Sequence, residues 1–239
     1  MTHGDFRDRH VVVTGGTGEL GGAVVELLLE AGATCHVPSR SGRSGGKPAA
    51  ERLNVVAGVD LTDEGSVRAF YGGLPSLWAS IHCAGGFAAA PVADVSQADF
   101  SRMFGMNAVS AFLCSREAVR RMRGDDASGG RGTGGRIVNV ASMAAVEPRR
   151  GAGMVAYTAS KAAVVALTEA LAEEVAAEGI WVNAVAPSIL DTPANRRDLP
   201  EADHSRWPKV HEVATTILHL ASPHNHSVRG SVVKVYGRS

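Results

Sequence analysis

Lysine and tyrosine are scarce in this chain of 239 residues, which has four of the first and three of the second. Acidic and basic residues balance at 24 each, so the basic excess of a nucleic-acid-binding surface is missing. Cysteine is limited to Cys35, Cys83 and Cys114, an odd and widely spaced set in apolar runs. That argues against a disulfide framework or a zinc site and predicts a reducing compartment. The opening stretch MTHGDFRDRH is polar and does not read as a secretory signal. No apolar run is expected to approach the roughly 20 residues of a membrane helix. These absences predict a cytoplasmic protein with no metal, no membrane and no nucleic-acid partner. With 45% hydrophobic and 20% charged residues, the composition is that of a globular protein, and the length suits one α/β domain.

What is present alternates between two periodicities. HVVVTG (10–15) is a short β-branched run ending in glycine, as a buried parallel strand requires. Leu20, Ala23, Val24, Leu27, Leu28 and Ala31 then mark one apolar stripe of a helix, with Gly32 as its stop. Further strands are read at 33–37, 53–59, 77–85, 136–142, 180–187 and 231–237. Helices are read from about residue 62, over 96–123, over 155–178 and over 209–221. The segments 39–50, 124–135 and 188–208 read as loops, the last a substrate lid. Regular alternation of this kind implies a mostly parallel seven-stranded sheet with helices on both faces, doubly wound, in a single domain over residues 1–239.

The first strand–helix junction is TGGTGELGG (14–22), with glycines at 15, 18 and 21. Glycine there lets the backbone turn tightly and approach a pyrophosphate, while the helix N-terminus offers unpaired N–H groups to the phosphates. This predicts dinucleotide binding. An NAD site places an acid at the end of the second strand to accept from the ribose hydroxyls. This chain has Ser39 and Arg40 there, Arg43 and Lys47 nearby, and no acid between Glu30 and Glu51. A guanidinium matches a 2′-phosphate in charge and fork geometry. NADP(H) is therefore favoured over NAD(H).

Tyr157 and Lys161 stand four residues apart in VAYTASKAAVVAL (155–167), on one face of the predicted helix. Three tyrosines and four lysines over 239 positions predict roughly 0.05 such pairs by chance, so the pair gains meaning only with corroboration.

The corroboration is a set of motifs in order along nearly the whole chain, which resembles the classical type of the short-chain dehydrogenase/reductase family. The family's glycine turn is TGGTGELG, and its acid after strand three matches Asp60 in GVDLTD. Its Asn-Asn-Ala-Gly element survives only as HCAG (82–85). Its helix asparagine matches Asn107 in MNAVSAF, its serine matches Ser142 in IVNVAS, and its Tyr-x-x-x-Lys is YTASK. Its turn after strand six reads VNAVAPSILDTP (182–193). Three departures stand out. Glu19 replaces a glycine, a spacing that suits the family's extended branch, but only 52 residues follow Pro187, too few for that branch's substrate domain. His82 and Cys83 replace two asparagines that brace the sheet in relatives, and Ser188 replaces glycine near the nicotinamide. The stretches 190–207 and 153–157 also look like the matching parts of dihydropteridine reductases.

The resemblance implies a Rossmann-like fold and hydride transfer between a nicotinamide and a carbonyl or alcohol carbon of a small molecule. It implies Asn107, Ser142, Tyr157 and Lys161 as the catalytic set. The implied cofactor-binding residues are Gly15, Thr17, Gly18, Leu20 and Gly21 in the turn, Ser39 and Arg40, Asp60 and Leu61, Ala84 and Gly85, Tyr157 and Lys161, and Leu190 and Thr192. Tyr157 would pass the proton and Ser142 would hold the substrate oxygen. Asn107 would connect Lys161 to solvent through a water. Lowering a phenol by roughly 2–3 units takes about 3–4 kcal/mol, and one ammonium at about 4 Å supplies roughly that. Lys161 is therefore expected to account for most of the shift. Phe87, Met143, Met154 and Trp207 are candidates for a substrate pocket, while Arg149 and Arg150 are read as a solvated rim. Pairing of the helices around 100–123 and 155–178 across subunits implies a homotetramer or homodimer. The leading reading is an NADPH-dependent carbonyl reductase. The alternatives are a pterin reductase and a non-catalytic dinucleotide sensor, whose mark would be a broken catalytic set.

Overall fold

The computed structural model describes residues 5–41, 51–124 and 134–239. Arg43 and Lys47 lie outside the described residues, as does most of the segment 124–135. Seven strands form one sheet in the order β3-β2-β1-β4-β5-β6-β7, and every neighbouring pair is parallel. They are β1 (His10–Thr14), β2 (Thr34–Ser39), β3 (Leu53–Ala57), β4 (Ala79–His82), β5 (Gly135–Val140), β6 (Ile180–Pro187) and β7 (Val232–Val235). The order reverses between β1 and β4. The crevice outside the carboxyl ends at such a point is where open α/β sheets bind ligands.

Strand alternation decides which helix each residue meets. Val11 and Val13 of β1 join a core with α1 (Glu19–Glu30) and α8 (Val210–Ala221). Val12 points the other way, into a core with α2 (Glu64–Gly72) and α4 (Ser110–Arg123). The apolar stripe Leu20, Val24, Val25 and Leu28 is the buried face of α1. With both faces covered, the strands are apolar on both sides, which is why they read as continuous hydrophobic runs.

Three expectations change. The helix read over 96–123 is α3 (Gln97–Phe104), a π-helical turn (Gly105–Val109) and α4. The segment 188–208 is not all loop: Thr192 caps α7 (Pro193–Asp198), and His204–Arg206 forms a 3₁₀ turn. Finally, α6 (Val155–Glu174) is long and apolar enough by length and composition to span a bilayer, contrary to the sequence expectation. It lies against β6, with Lys161 buried, and bonds into the sheet through Thr168. A short α5 (Met143–Val146) precedes it.

The amino-terminal edge of the sheet holds an unusual stack. Arg136 is buried and has no carboxylate partner among the described residues; its guanidinium donates to the carbonyls of Gly135, Ser222 and Asn225. It lies 4.9 Å from the Trp78 ring centre and 5.0 Å from that of Trp181, and Arg9 covers Trp78 at 3.8 Å. Desolvation and the neighbouring Arg9 bring Arg136 down to about 10. It remains charged at neutral pH, held by carbonyl dipoles and aromatic faces.

Candidate active site

A cleft of about 880 Å³ opens at the carboxyl ends of β1, β2 and β4. Gly15, Thr17, Gly18, Ser39, Arg40, Asp60, Leu61, Ala84 and Gly85 of the predicted set line it. Its walls are shaped by glycine. Gly15 has φ +66°, and a Cβ there would lie 2.7 Å from the Ala84 nitrogen. A Cβ on Gly21 would lie 2.2 Å from the Gly15 carbonyl oxygen. The β1–α1 turn can therefore sit flat on the end of β4 only with glycine at both positions. Leu20 and Gly21 are buried beneath the turn and shape it from below. Gly18 caps α1, and Glu19 begins it as an exposed first-turn acid that favours the helix dipole. Asp60 is fixed by Thr62, whose N–H (2.9 Å) and hydroxyl (2.8 Å) both donate to Oδ1. These bonds, with a smaller contribution from Arg40, hold its carboxyl below the usual range. The volume, the glycine turn and the Arg40 guanidinium fit a nicotinamide dinucleotide.

Sequence reasoning missed Ser101, Arg102, Met106 and Ser110, which line the same cleft from α3, the π turn and the start of α4. Their spacing reads as ordinary helix, and nothing local in the sequence marks the π turn at 105–109 or the cleft beside it.

The catalytic candidates gather beside this cleft. Ser142 ends the β5 connection and caps α5, with its Oγ accepting from Ala145 N–H at 3.3 Å. Asn107 is buried in the π turn: Nδ2 donates to Gly86 O (3.1 Å) and Ser160 Oγ (2.9 Å), and Oδ1 accepts from Gly86 N–H (2.9 Å). A Cβ on Gly85 would meet Asn107 Oδ1 at 2.6 Å and Lys161 Nζ at 3.3 Å, so both groups close around that glycine. Lys161 Nζ donates to the Val140 carbonyl at 2.6 Å. Burial brings its ammonium down to about 8.

The expected electrostatic effect of Lys161 on the phenol is not what the structure has. Burial raises Tyr157 above its ordinary value, and a hydrogen bond with Ser142 opposes the rise. The Lys161 ammonium is hydrogen-bonded to the β5 carbonyl of Val140. Cys83, in the cleft wall near Lys161, is pushed up to about 12 by desolvation and stays a thiol.

The replaced sheet asparagine has a substitute. His82 is fully buried and bridges β4 to β5 through Nδ1, 2.7 Å from Asn139 Oδ1. Asn139 Nδ2 donates to Thr168 Oγ1 (2.9 Å), which donates to Val164 O (2.7 Å) in α6. With Oδ1 accepting, Nδ1 carries the proton and Nε2 accepts from the Ser80 hydroxyl at 2.8 Å. Ser80 also bonds the Tyr71 hydroxyl of α2 at 2.7 Å. One hydrogen-bonded chain thus runs from α2 through β4 and β5 to the helix carrying Tyr157 and Lys161. Burial drives His82 down to about 4, so this brace is neutral.

The remaining candidates scatter. Thr192 Oγ1 accepts from Asn195 N–H (3.2 Å) and Leu190 O accepts from Asn195 Nδ2 (2.8 Å), so both are engaged inside the lid and line neither cavity. Both lid ends are pinned at Asp191, which pairs with Arg196 and Lys209 and donates its N–H to Pro208 O at 3.0 Å. Ser188, the glycine replacement, donates to the Tyr236 carbonyl at 3.0 Å. Phe87 stands edge-on to Tyr157, with ring centres 5.0 Å apart. Trp207 is buried, its ring 4.6 Å from His204, and Met154 lines a separate cavity of about 220 Å³. Met143 Sδ accepts from Arg150, which also pairs with Glu147, and Arg149 is exposed.

Comparison with known proteins agrees with this geometry. Residues 9–203 match the short chain dehydrogenase family. The chain is 36% identical over 244 residues to a galactitol 2-dehydrogenase of Rhizobium johnstonii, covering 94% of this chain and 92% of the relative. It is 31% identical over 254 residues to a cyclopentanol dehydrogenase of a Comamonas species, covering 98% of each. A short-chain type dehydrogenase/reductase from Mycobacterium ulcerans superposes with TM-score 0.84 at 26% identity, over 98% of this chain and 90% of that one. Fold, glycine turn, cleft and these likenesses converge: the chain belongs to the short-chain dehydrogenase family, oxidoreductases that act on CH–OH and C=O groups with NAD(P).

Proposed function

We propose that the protein is an NADP(H)-dependent reductase that converts a ketone to a secondary alcohol. The observation that carries this reading is the gathering of Ser142, Tyr157, Lys161 and Asn107 beside a cleft whose β2 end offers Arg40 and no acid. Both relatives named above act, by their names, on secondary alcohols, one open-chain and one cyclic.

Bound nicotinamide supplies or accepts the hydride. The chain's own residues manage the proton and the orientation. Burial holds the Tyr157 phenol protonated, the state a proton donor needs in reduction. Ser142 Oγ positions the substrate oxygen for that donation. Lys161 is charged below about pH 8 and is held against Val140 O, next to Gly85 of the cleft wall. Asn107 clamps Gly86 and Ser160, fixing the floor under Lys161. Arg40, exposed at the cleft mouth, would meet the 2′-phosphate.

Two further proposals concern surroundings. Phe100, Val109, Phe112 and Val155 expose apolar side chains along α3, the π turn, α4 and the start of α6, which supports pairing with a second copy as a homodimer or homotetramer. Three free cysteines support a cytoplasmic setting.

The test is fluorescence titration with NADPH and NADH, read on reduced-nicotinamide emission. The expected result is tighter NADPH binding that weakens about 10–100-fold in Arg40→Ala, the loss of one charge-assisted contact. Preference for NADH overturns the Arg40 argument. Turnover of a quinonoid dihydropterin with a harmless Ser142→Ala favours the pterin reading instead. No binding of either nucleotide overturns the oxidoreductase reading.

A further inference from the structure

Among the described residues, the exposed large hydrophobic side chains other than Val56 on β3 fall into two sets. One runs along α3, the π turn, α4 and the tip of α6, and was assigned above to subunit pairing. The other comes from the connections that leave the carboxyl ends of β4 and β6: Phe87, Val92, Ile189 and Leu199. Phe87 is the one of these whose side chain stands against a catalytic candidate. Its ring stands at 77° to the Tyr157 ring, 5.0 Å away, yet 63% of the residue faces solvent. Its backbone is not free to withdraw it. Asn107 grips the preceding Gly86 through both N–H and carbonyl. The Met106 side chain of the π turn packs over Gly86, its terminal methyl 2.5 Å from where a Cβ would stand. The chain thus holds an aromatic face open beside the proton-donating phenol.

Several polar groups of the neighbouring connections are engaged within the protein. Glu147 pairs with Arg150 at 3.0 Å and with Lys234 at 3.4 Å. Asp191 pairs with Arg196 and Lys209. Ser188 donates to the Tyr236 carbonyl, and Asp203 accepts from Ser205. A polyol needs a partner for each hydroxyl it buries, because an unpaired polar group costs binding.

We propose that Phe87 is a specificity-determining residue and that the natural substrate is a ketone or secondary alcohol whose non-reacting carbons are apolar and cyclic, packing on the Phe87 ring, rather than a polyol. This rests on the oxidoreductase reading above and extends it to the substrate class. Covering a phenylalanine of this exposure is worth about 10–100-fold in binding.

The experiment measures kcat/KM with NADP⁺ for cyclohexanol, a linear hexitol and propan-2-ol, in the wild-type protein, Phe87→Ala and Phe87→Leu. The expected order places cyclohexanol above the hexitol by about 100-fold. Phe87→Ala is expected to lower the cyclohexanol-to-propan-2-ol ratio about tenfold or more, chiefly through KM, and Phe87→Leu to restore most of it. A hexitol used as well as cyclohexanol overturns the substrate class. Equal losses on both alcohols in Phe87→Ala overturn the specificity role, as does a change in solution mass with an unchanged ratio, which would make Phe87 a subunit contact. Nucleotide binding without turnover of any of the three alcohols, or of the matching ketones with NADPH, defeats the oxidoreductase reading and this inference with it.

Discussion

Replacing His82 tests the hydrogen-bonded chain that ties the sheet to the catalytic helix. In His82→Leu the Ser80 hydroxyl loses its acceptor and Asn139 Oδ1 loses its donor, and both sites are fully buried. Each orphaned group costs about 1–3 kcal/mol, so the pair costs about 2–6 kcal/mol. At roughly 2–4 °C per kcal/mol for a domain of this size, the melting temperature should fall by about 5–20 °C. His82→Asn returns a donor and an acceptor and should cost much less. The two variants also separate by pH. The imidazole titrates near 6.5 when unfolded and about 4 when folded, so the folded state disfavours the proton. Stability is whole above pH 6.5 and is lost as pH falls toward 4. Linkage puts that loss at about 2–3 kcal/mol by pH 4.5. His82→Asn has no such group, so its urea-unfolding free energy should decline less between pH 7.5 and 4.5, by that amount. A His82→Leu protein that melts within about 2 °C of wild type would refute the brace, and parallel pH slopes would refute the buried neutral imidazole.

Two other outcomes follow from the site geometry. Lys161 loses its charge as pH rises through about 8, so kcat/KM for NADPH, which reports the free enzyme, should fall above that pH. The limb should be absent in Lys161→Arg, and a flat wild-type profile from pH 6 to 10 would contradict it. Gly21→Ala would place a methyl 2.2 Å from the Gly15 carbonyl oxygen, so the turn must open. NADPH affinity should drop at least about tenfold, with about 1–3 kcal/mol of stability lost; affinity within twofold of wild type would show that the turn tolerates it.

The parts legible from sequence were those set by local pattern. Strand β6 was bounded at 180 and 187 because its apolar run is bracketed by Gly179 and the turn after Pro187, and the β1–α1 turn announced itself by glycine spacing. What escaped depends on distant contacts. The π turn at 105–109 arises where Asn107 reaches Gly86, 21 residues away, and nothing in GMNAV signals it. Lys161 shares a helix face with Tyr157, but its carbonyl acceptor, Val140, belongs to strand β5. His82 looked like the loss of a brace because its partners, Ser80 and Asn139, are joined to it only by sheet register. Helix α7 was a different kind of miss: Thr192-Pro193 is a good start signal, outweighed by the polar composition of the segment.

The three tryptophans divide the molecule optically. Trp78 and Trp181 sit at the amino-terminal edge against Arg136, remote from the cleft, while Trp207 lies at the root of the lid beside His204. Ultraviolet emission from this chain therefore has two sources that answer different questions. The pair at Arg136 reports on the strand ends and on α8, whose Ala221 carbonyl accepts from the Trp78 indole at 3.0 Å. Trp207, with an imidazole quencher 4.6 Å away, changes whenever the lid root shifts, even while the sheet stays intact. A Trp207→Phe protein would silence the second source and leave the first as a record of the strand ends and the α8 contact.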